Sequence, residues 1–146
     1  MGAGDRKARF AVKYADVLFL TVDQVKQIHA IVTKQYGGPV GVLDEGLLES
    51  AVLRCQQTFD GVPLYPSLAA MAGALIFGVS KNHAFEDGNK RTALSAGVAF
   101  LAANNHPLPF DNAWEDRIVD VAKGTLTADQ LLAFIAAAIG EIPIEV

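Results

Sequence analysis

The stretch HAFEDGNKRTAL, residues 83–94, joins two apolar, Ala-rich runs that both predict helices, residues 68–79 before it and 92–103 after it. The first helix is predicted to end at a His, and the second to open with Asn, Lys and Arg. Two acids and a Gly lie in the short turn between them. We therefore expect this turn to join the two central helices of the fold.

The residues of this turn suit the binding of a polyphosphate. The first turn of a helix has free backbone N–H groups and a positive dipole end, so Gly88, Asn89 and Lys90 are predicted to form an anion cradle. Gly88 has no Cβ and lets the backbone approach phosphate oxygens closely. Lys90 and Arg91 add positive charge, and the Arg91 guanidinium can form two parallel hydrogen bonds with one phosphate.

Two further side chains indicate a reaction at that site. Asp87 is a hard oxygen ligand of the kind that holds Mg²⁺ beside substrate phosphates. His83 is a candidate general base, because an imidazole can take a hydroxyl proton near neutral pH. Each residue also has a structural explanation as a helix cap, a charge on a helix dipole or a solvated face. Their occurrence together within nine residues favours the functional interpretation.

The stretch HAFEDGNKR resembles the signature of the Fic/Doc family, which is His-Pro-Phe, a variable residue, Asp or Glu, and then Gly-Asn-Gly-Arg. Lys90 stands where adenylylating Fic proteins have their second Gly, and a Lys there is similar to the Doc branch, the death-on-curing toxins. Ala84 departs from the usual Pro. The resemblance extends over residues 19–105 and includes GGPVGVLDEGLLESAV ahead of the motif.

The resemblance implies a Doc-like protein kinase, a toxin that transfers the γ-phosphate of ATP or another nucleoside triphosphate to a protein Ser or Thr hydroxyl. His83 would take the hydroxyl proton, Asp87 would hold Mg²⁺, and residues 88–91 would bind the phosphates. The family also implies translation elongation factor Tu as the target and arrested protein synthesis as the outcome. Nothing in the residues themselves selects that target.

Two other functions stay open from the sequence. Fic-type adenylylation uses the same His and the same cradle, with a different phosphorus atom facing the attacking hydroxyl. Enzymes of that type have Gly in place of Lys90 and usually a second Arg where this chain has Leu94, so both positions disfavour AMP transfer. A non-catalytic nucleotide- or partner-binding module would keep the fold, but a decayed site would tolerate loss of His83 or Asp87, and both are intact.

A toxic transferase has to be restrained. Some Fic proteins inhibit themselves through a Ser/Thr-x-x-x-Glu-Gly/Asn helix, but the one Glu-Gly pair here is Glu45-Gly46, and Gly41 lies four residues before Glu45. The Doc resemblance instead implies a small antitoxin whose disordered tail folds as a helix into an apolar groove near the site. The 51% content of hydrophobic residues fits such a groove or a tightly packed helical core.

Size and composition set the broad class. A chain of 146 residues predicts one domain, with residues 1–16 a flexible lead-in and 17–146 a single Fic/Doc-like domain. The net charge of −4 without a basic run argues against direct nucleic-acid binding. The chain has no apolar run long enough to span a membrane, no signal peptide and a single Cys, Cys55, so we expect a cytoplasmic protein without disulfides.

The rest of the chain predicts an all-α fold, a compact six-helix Fic/Doc-like bundle with the active-site loop between its two central helices. Helix starts are indicated by residues with capping side chains: Thr21 with Gln24, Asp44, Ser67, Asn112 with Glu115, and Thr127 with Gln130. Gly37 and Gly38, Gly124 and Gly140 are the predicted ends of three of the helices.

Several smaller features complete the prediction. Gly73, Gly78 and Gly97 lie inside predicted helices, where Gly costs about 1 kcal/mol relative to Ala, so they indicate close contact between helices. Phe85 is predicted to fill the core under the turn. Leu47 is predicted to lie on the buried face of the second helix. Residues 59–66 predict a loop, which is either a plain connector or the flap that Fic-type proteins use to align their target.

Overall fold

The computed structural model describes residues 12–39, 41–109, 111–140 and 144–145, and six α-helices make up most of this part of the chain. The helices are α1 (Val22–Tyr36), α2 (Glu45–Leu53), α3 (Leu68–Asn82), α4 (Asn89–Ala103), α5 (Ala113–Lys123) and α6 (Ala128–Ile139). Two 3₁₀ turns and four two-residue strands complete the regular structure of the described residues. The predicted all-α class with six helices is confirmed.

Side-chain caps fix the start of four helices, as predicted. In each cap a side-chain oxygen accepts a hydrogen bond from the backbone N–H three residues later. The capping residues are Thr21, Asp44, Ser67 and Thr127. Each such cap is worth about 1 kcal/mol. The cap predicted at Asn112 with Glu115 is wrong, because Asn112 already has helical backbone angles and its side chain makes no cap. Asp111 Oδ1 accepts from the N–H of Ala113 at 3.0 Å instead.

Helix α3 is the centre of the fold. Eleven of its fifteen residues are buried, and it packs against α2, α4, α5 and α6. A helix that is apolar almost all round has to be surrounded in this way, because no face of it is suited to water. The ends of α3 are therefore held in place by most of the molecule.

Two glycines allow neighbouring helices to approach α3 closely. A Cβ on Gly97 of α4 would overlap Cδ1 and Cγ1 of Ile76, so the Ile76 side chain would have to shift to admit any side chain there. A Cβ on Gly78 would lie 3.4 Å from the backbone of Ala51 in α2, which is also tight. Gly73 makes only ordinary contacts, at 3.8 Å, with α6. The predicted close packing is confirmed at the first two positions and is not required at Gly73.

Two small sheets lie at the edges of the helical core. Strands β1 (Val12–Lys13) and β4 (Ile144–Glu145) pair in parallel, with Val12 opposite Ile144. This pairing includes part of the predicted lead-in, while residues 1–11 of that segment lie outside the described residues. The division of the chain at residue 16 stays a prediction.

The predicted loop at residues 59–66 contains a β-hairpin. Strands β2 (Thr58–Phe59) and β3 (Val62–Pro63) pair antiparallel around Asp60 and Gly61, whose φ angles of 53° and 79° suit a two-residue hairpin turn. The Phe59 side chain is 76% exposed at the tip. The assignment of this segment as a flap stays a prediction.

Burial agrees with the sequence pattern at most positions. Phe85 is 1% exposed and fills the core under the turn, as predicted. The predicted buried face of α2 also included Leu48, Ala51 and Val52, and these are confirmed as its inner face. Leu47 is 41% exposed, so its place on the buried face is wrong. Burial raises the pKa of the Cys55 thiol to about 11, so this side chain is a neutral core residue at neutral pH. Within the described residues, no helix is long and apolar enough to cross a membrane.

We expect Gly97→Ala to lower the free energy of unfolding by about 1–3 kcal/mol, because the new methyl group overlaps the fully buried Ile76 side chain and forces it to shift within a packed core. Gly73→Ala is the matched control and should be neutral or stabilising by up to about 1 kcal/mol through helix propensity. Thermal or urea unfolding of the two variants measures both effects. A Gly97→Ala protein as stable as Gly73→Ala would contradict the close contact between α3 and α4.

Candidate functional site

The turn between α3 and α4 begins and ends at residues with left-handed backbone. His83 follows the last residue of α3 with φ 51° and ψ 41°, and Gly88 precedes α4 with φ 77°. The prediction that a His ends the central helix is therefore confirmed. A left-handed conformation is common for Gly, but it costs a residue with a Cβ, such as His, roughly 1–2 kcal/mol.

A second segment of the chain pairs with this turn. The N–H groups of Leu43 and Asp44 both donate to the carbonyl of Ala84, at 2.8 and 3.3 Å, and Glu86 N donates to Gly41 O at 3.3 Å. The segment just before α2 thus runs alongside the motif as a short antiparallel bridge. Its backbone supplies the hydrogen bonds that a turn between two helices cannot make internally.

Asn89 closes the turn from within. Its Oδ1 accepts from the N–H of Phe85 at 3.1 Å, and its Nδ2 donates to the carbonyl of Phe85 at 2.9 Å. Both polar groups of the buried Phe85 backbone are thereby satisfied by one amide. Because the Asn89 side chain is bonded to Phe85, only the backbone N–H of Asn89 is available to bind an anion.

The start of α4 differs from the starts of the four capped helices. The helical hydrogen-bond ladder begins with Thr92 N, which donates to Gly88 O at 2.9 Å, and no side chain caps the helix. The N–H groups of Asn89, Lys90 and Arg91 precede that bond and carry the positive end of the helix dipole. The Gly88 N–H donates to Asp87 Oδ1 at 2.8 Å. Of the predicted cradle, the Gly88 N–H is thus occupied, whereas the N–H groups of Asn89 and Lys90 remain for an anion and are joined by that of Arg91.

Asp87 is exposed and uses one of its two carboxylate oxygens locally. Oδ1 accepts the hydrogen bond from Gly88 N, whereas Oδ2 has no hydrogen-bond donor among the described residues. Gly38 lies against this oxygen, since a Cβ on Gly38 would be 2.9 Å from Oδ2. No group of three or more acidic, His or Cys side chains is assembled in the described part of the chain. A single carboxylate fits Mg²⁺ that takes its other ligands from substrate phosphates and water.

Arg91 is oriented by a contact that the motif does not contain. Its guanidinium lies over the ring of Tyr36, at the end of α1, with 3.8 Å between Cζ and the ring centroid. Such a cation–π contact is worth about 0.5–1 kcal/mol at an exposed position. The stacking restricts the rotamers of Arg91 and holds its planar fork at the edge of the site.

These residues line one cleft of about 740 Å³, a size typical of small-molecule sites. One end of the cleft contains every site residue predicted from the sequence: His83, Asp87, Gly88, Asn89, Lys90 and Arg91. The rest of the lining comes mainly from α4 and α5, where polar Ser95 and Glu115 accompany six apolar residues: Leu94, Val98, Ala99, Ile118, Val119 and Ala122. Near the turn the cleft thus has charged side chains of both signs, and along α4 and α5 it is mainly apolar.

Three residues of the site were missed by the sequence analysis. Tyr36 lies under Arg91, His29 lies buried beneath the turn, and Ser80 lines the cleft with a buried hydroxyl that has no hydrogen-bond partner among the described groups. His29 follows Val25 by four residues and so belongs to the buried face of α1, which was a usable signal. Ser80 stands within an apolar helix and gave no such signal.

The chain belongs to the Fic/DOC family, whose family model matches residues 19–101. Among curated relatives, the protein named Toxin Doc from Mycolicibacterium smegmatis is 43% identical over 104 residues, which cover 69% of this chain and 80% of that protein. The protein named Protein kinase doc from Escherichia phage P1 is 25% identical over 117 residues, covering 80% of this chain and 89% of the relative. The resemblance identified from HAFEDGNKR is thereby confirmed.

We expect His83→Gly to be at least as stable as the natural protein, with a gain of up to about 1 kcal/mol, because Gly relieves the left-handed backbone. His83→Ala keeps the backbone cost and should unfold close to the natural protein. Thermal unfolding of the three proteins checks this expectation. A clear loss of stability in His83→Gly would show that the side chain itself supports the fold.

Proposed function

We propose that this protein is a toxin of the Doc type, a kinase that transfers the γ-phosphate of a nucleoside triphosphate to a protein Ser or Thr hydroxyl. The observation that carries the proposal is the uncapped start of α4, which lines the same cleft as His83, Lys90 and Arg91. The names of the two relatives, Toxin Doc and Protein kinase doc, support it.

In this proposal His83 is the general base. It stands at the end of the rigid central helix and lines the cleft beside the start of α4. As the substrate hydroxyl oxygen bonds to the γ-phosphorus, the imidazole takes the hydroxyl proton. The bond from that phosphorus to the bridging oxygen breaks, and the nucleoside diphosphate leaves with the electron pair. Positioning and charge neutralisation do most of the work in such a transfer.

The start of α4 binds the phosphates. The N–H groups of Asn89, Lys90 and Arg91 are fixed donors aimed at an anion, and the two cationic side chains offset its charge. Arg91 is already held by Tyr36 before a ligand arrives, so less of its rotamer freedom is lost on binding. Mg²⁺ at Asp87 Oδ2 would neutralise charge on the phosphates of the bound nucleotide.

The mainly apolar part of the cleft, along α4 and α5, then takes the nucleoside. Lys90 stands at the position where an adenylylating enzyme has Gly, and its side chain lines the cleft beside the cradle. A side chain there favours a nucleotide orientation in which the γ-phosphorus faces His83. The proposed target is translation elongation factor Tu, with the exposed hairpin β2–β3 as the flap that aligns the target backbone, and the proposed setting is the cytoplasm.

Incubation of the protein with a cell extract and either γ-labelled or α-labelled ATP tests the reaction. We expect label on a protein from the γ position and none from the α position. His83→Ala should lower the transfer rate by about 10²–10⁴-fold, the usual effect of removing a general base. Transfer of α label would replace the proposal by adenylylation, and nucleotide binding without any transfer would replace it by a binding module.

The same assay with Asp87→Asn tests the metal. An Asn side chain still offers an oxygen to the Gly88 N–H, so the turn is retained, but the charge that holds Mg²⁺ is lost. We expect normal thermal stability together with a weaker response of the rate to added Mg²⁺. An unchanged Mg²⁺ response would mean that Asp87 only caps the turn, a role worth about 1 kcal/mol of stability.

We further propose that a small antitoxin restrains this activity. The apolar walls supplied by α4 and α5 form a groove that continues from the phosphate site, and an amphipathic helix seated in it would exclude the nucleoside. An antitoxin tail that folds only on binding can be removed by degradation, which releases the toxin.

Co-expression with the product of a neighbouring small gene should restore growth, and purified antitoxin should bind with an affinity that depends on the groove. We expect Ala99→Arg, within the groove, to weaken binding at least about 10-fold, because the long side chain would occupy the space that the antitoxin helix needs. Ala102→Arg is the matched control, since Ala102 is exposed on the same helix and lies outside the cleft. Equal binding by both variants would place the antitoxin elsewhere.

A further inference from the structure

His29 lies beneath the turn that carries the site, and the chemistry proposed above does not use it. It stands in the middle of α1, and only 1% of its surface is exposed. A buried polar ring needs a hydrogen-bond partner, and the position of that partner indicates what the ring does. The structure brings His29 against the motif although 58 residues of sequence separate it from its partner.

The His29 ring contacts three residues of the turn. Its Nε2 lies 2.7 Å from the carbonyl oxygen of Asp87. A carbonyl oxygen only accepts, so the hydrogen of this bond belongs to Nε2. One face of the ring stacks on Phe85, with 3.8 Å between centroids and 6° between planes. Its edge faces Gly88, where an added Cβ would lie 3.6 Å from Cδ2 and Nε2 of His29.

The bond to the Asp87 carbonyl fixes the peptide unit between Asp87 and Gly88. A trans peptide unit is planar, and its N–H points away from its carbonyl. In this unit the N–H donates to Oδ1 of Asp87 at 2.8 Å. A ring that holds the carbonyl therefore also sets the direction of the N–H, and through it the position of the Asp87 carboxylate.

We propose that His29 is a positioning residue for the Asp87 carboxylate and for the start of α4. The inference rests on the proposed function, in which the Asp87 carboxylate holds Mg²⁺ and the N–H groups at the start of α4 bind the phosphates. Helix α4 has no side-chain cap of its own, so the peptide before it is held by contacts from outside the helix. His29 supplies the hydrogen bond that prevents this peptide from rotating.

Substitutions separate the hydrogen bond from the stacking. His29→Phe keeps a flat ring over Phe85 but has no donor for the Asp87 carbonyl. His29→Gln has no ring, but its side-chain amide N–H lies about as far from the backbone as the Nε2 of His. His29→Asn is polar like Gln, but its shorter side chain cannot reach the carbonyl. The Gln and Asn variants form a matched pair that remains informative if the Phe variant does not fold.

Transfer kinetics with varied Mg²⁺ and nucleotide are the first measurement. For His29→Phe and His29→Asn we expect the apparent affinity for the Mg²⁺–nucleotide pair to fall about 10-fold, the effect of one lost hydrogen bond. His29→Gln should stay within about 3-fold of the natural protein. In an Asp87→Asn background the same substitutions at residue 29 should have a smaller effect, since the carboxylate that they misplace is already absent.

Amide hydrogen exchange at Gly88 in the free protein is the second measurement, and it needs no catalysis. We expect exchange about 10-fold faster in His29→Phe and His29→Asn, with His29→Gln close to the natural protein. If the protein transfers no phosphate, the proposed function fails, and this measurement still decides the role of His29. Equal exchange and equal nucleotide affinity in the Gln and Asn variants would overturn the inference and leave His29 as a core residue.

Discussion

The rest of the structure depends on how the polar turn is held between two buried helices. The turn cannot satisfy its own backbone, so Asn89 bonds both polar groups of Phe85, and the segment before α2 bonds Ala84 and Glu86. The Phe85 ring fills the core beneath and carries the His29 ring on its face. Together these contacts hold the end of α3 next to the start of α4.

This arrangement explains why the site lies on rigid elements. His83 is fixed by the most buried helix of the molecule, and the N–H groups of α4 are fixed by a helix that touches α3 at Gly97. Preorganised donors lose little free energy to reorganisation when an anion arrives. The energetic cost is the left-handed backbone at His83 and a helix start without a cap, and the packing around α3 offsets both.

The sequence predicts the features of this protein that depend on local chemistry. The caps at Thr21, Ser67 and Thr127 involve only residues three positions apart, so they can be recognised from the sequence alone. The prediction failed at Asn112 because backbone angles, and not residue type, decide whether a cap forms. It failed at Leu47 because a short helix leaves its inner face ambiguous by one position.

The same distinction applies to the candidate site. The motif residues were found because nine consecutive positions contain them, and the structure brings all of them to one cleft. Tyr36 and His29 could not be found in this way, because their partners Arg91 and Asp87 lie more than fifty residues away in sequence. A single sequence does not record which helix packs against a turn, and these two residues act through that packing.

The parallel pairing of β1 with β4 has a topological consequence. Neighbouring strands lie about 5 Å apart, so Val12 and Ile144, 132 positions apart in the chain, meet at one edge of the bundle. Because the segment at Val12 lies beside the segment at Ile144, a short linker that joined these two segments would close the backbone into a ring. New ends could then be opened at the exposed Asp60-Gly61 hairpin turn, which lies outside the α3–α4 junction. The order in which the helices are connected is, in this sense, separable from the way they pack.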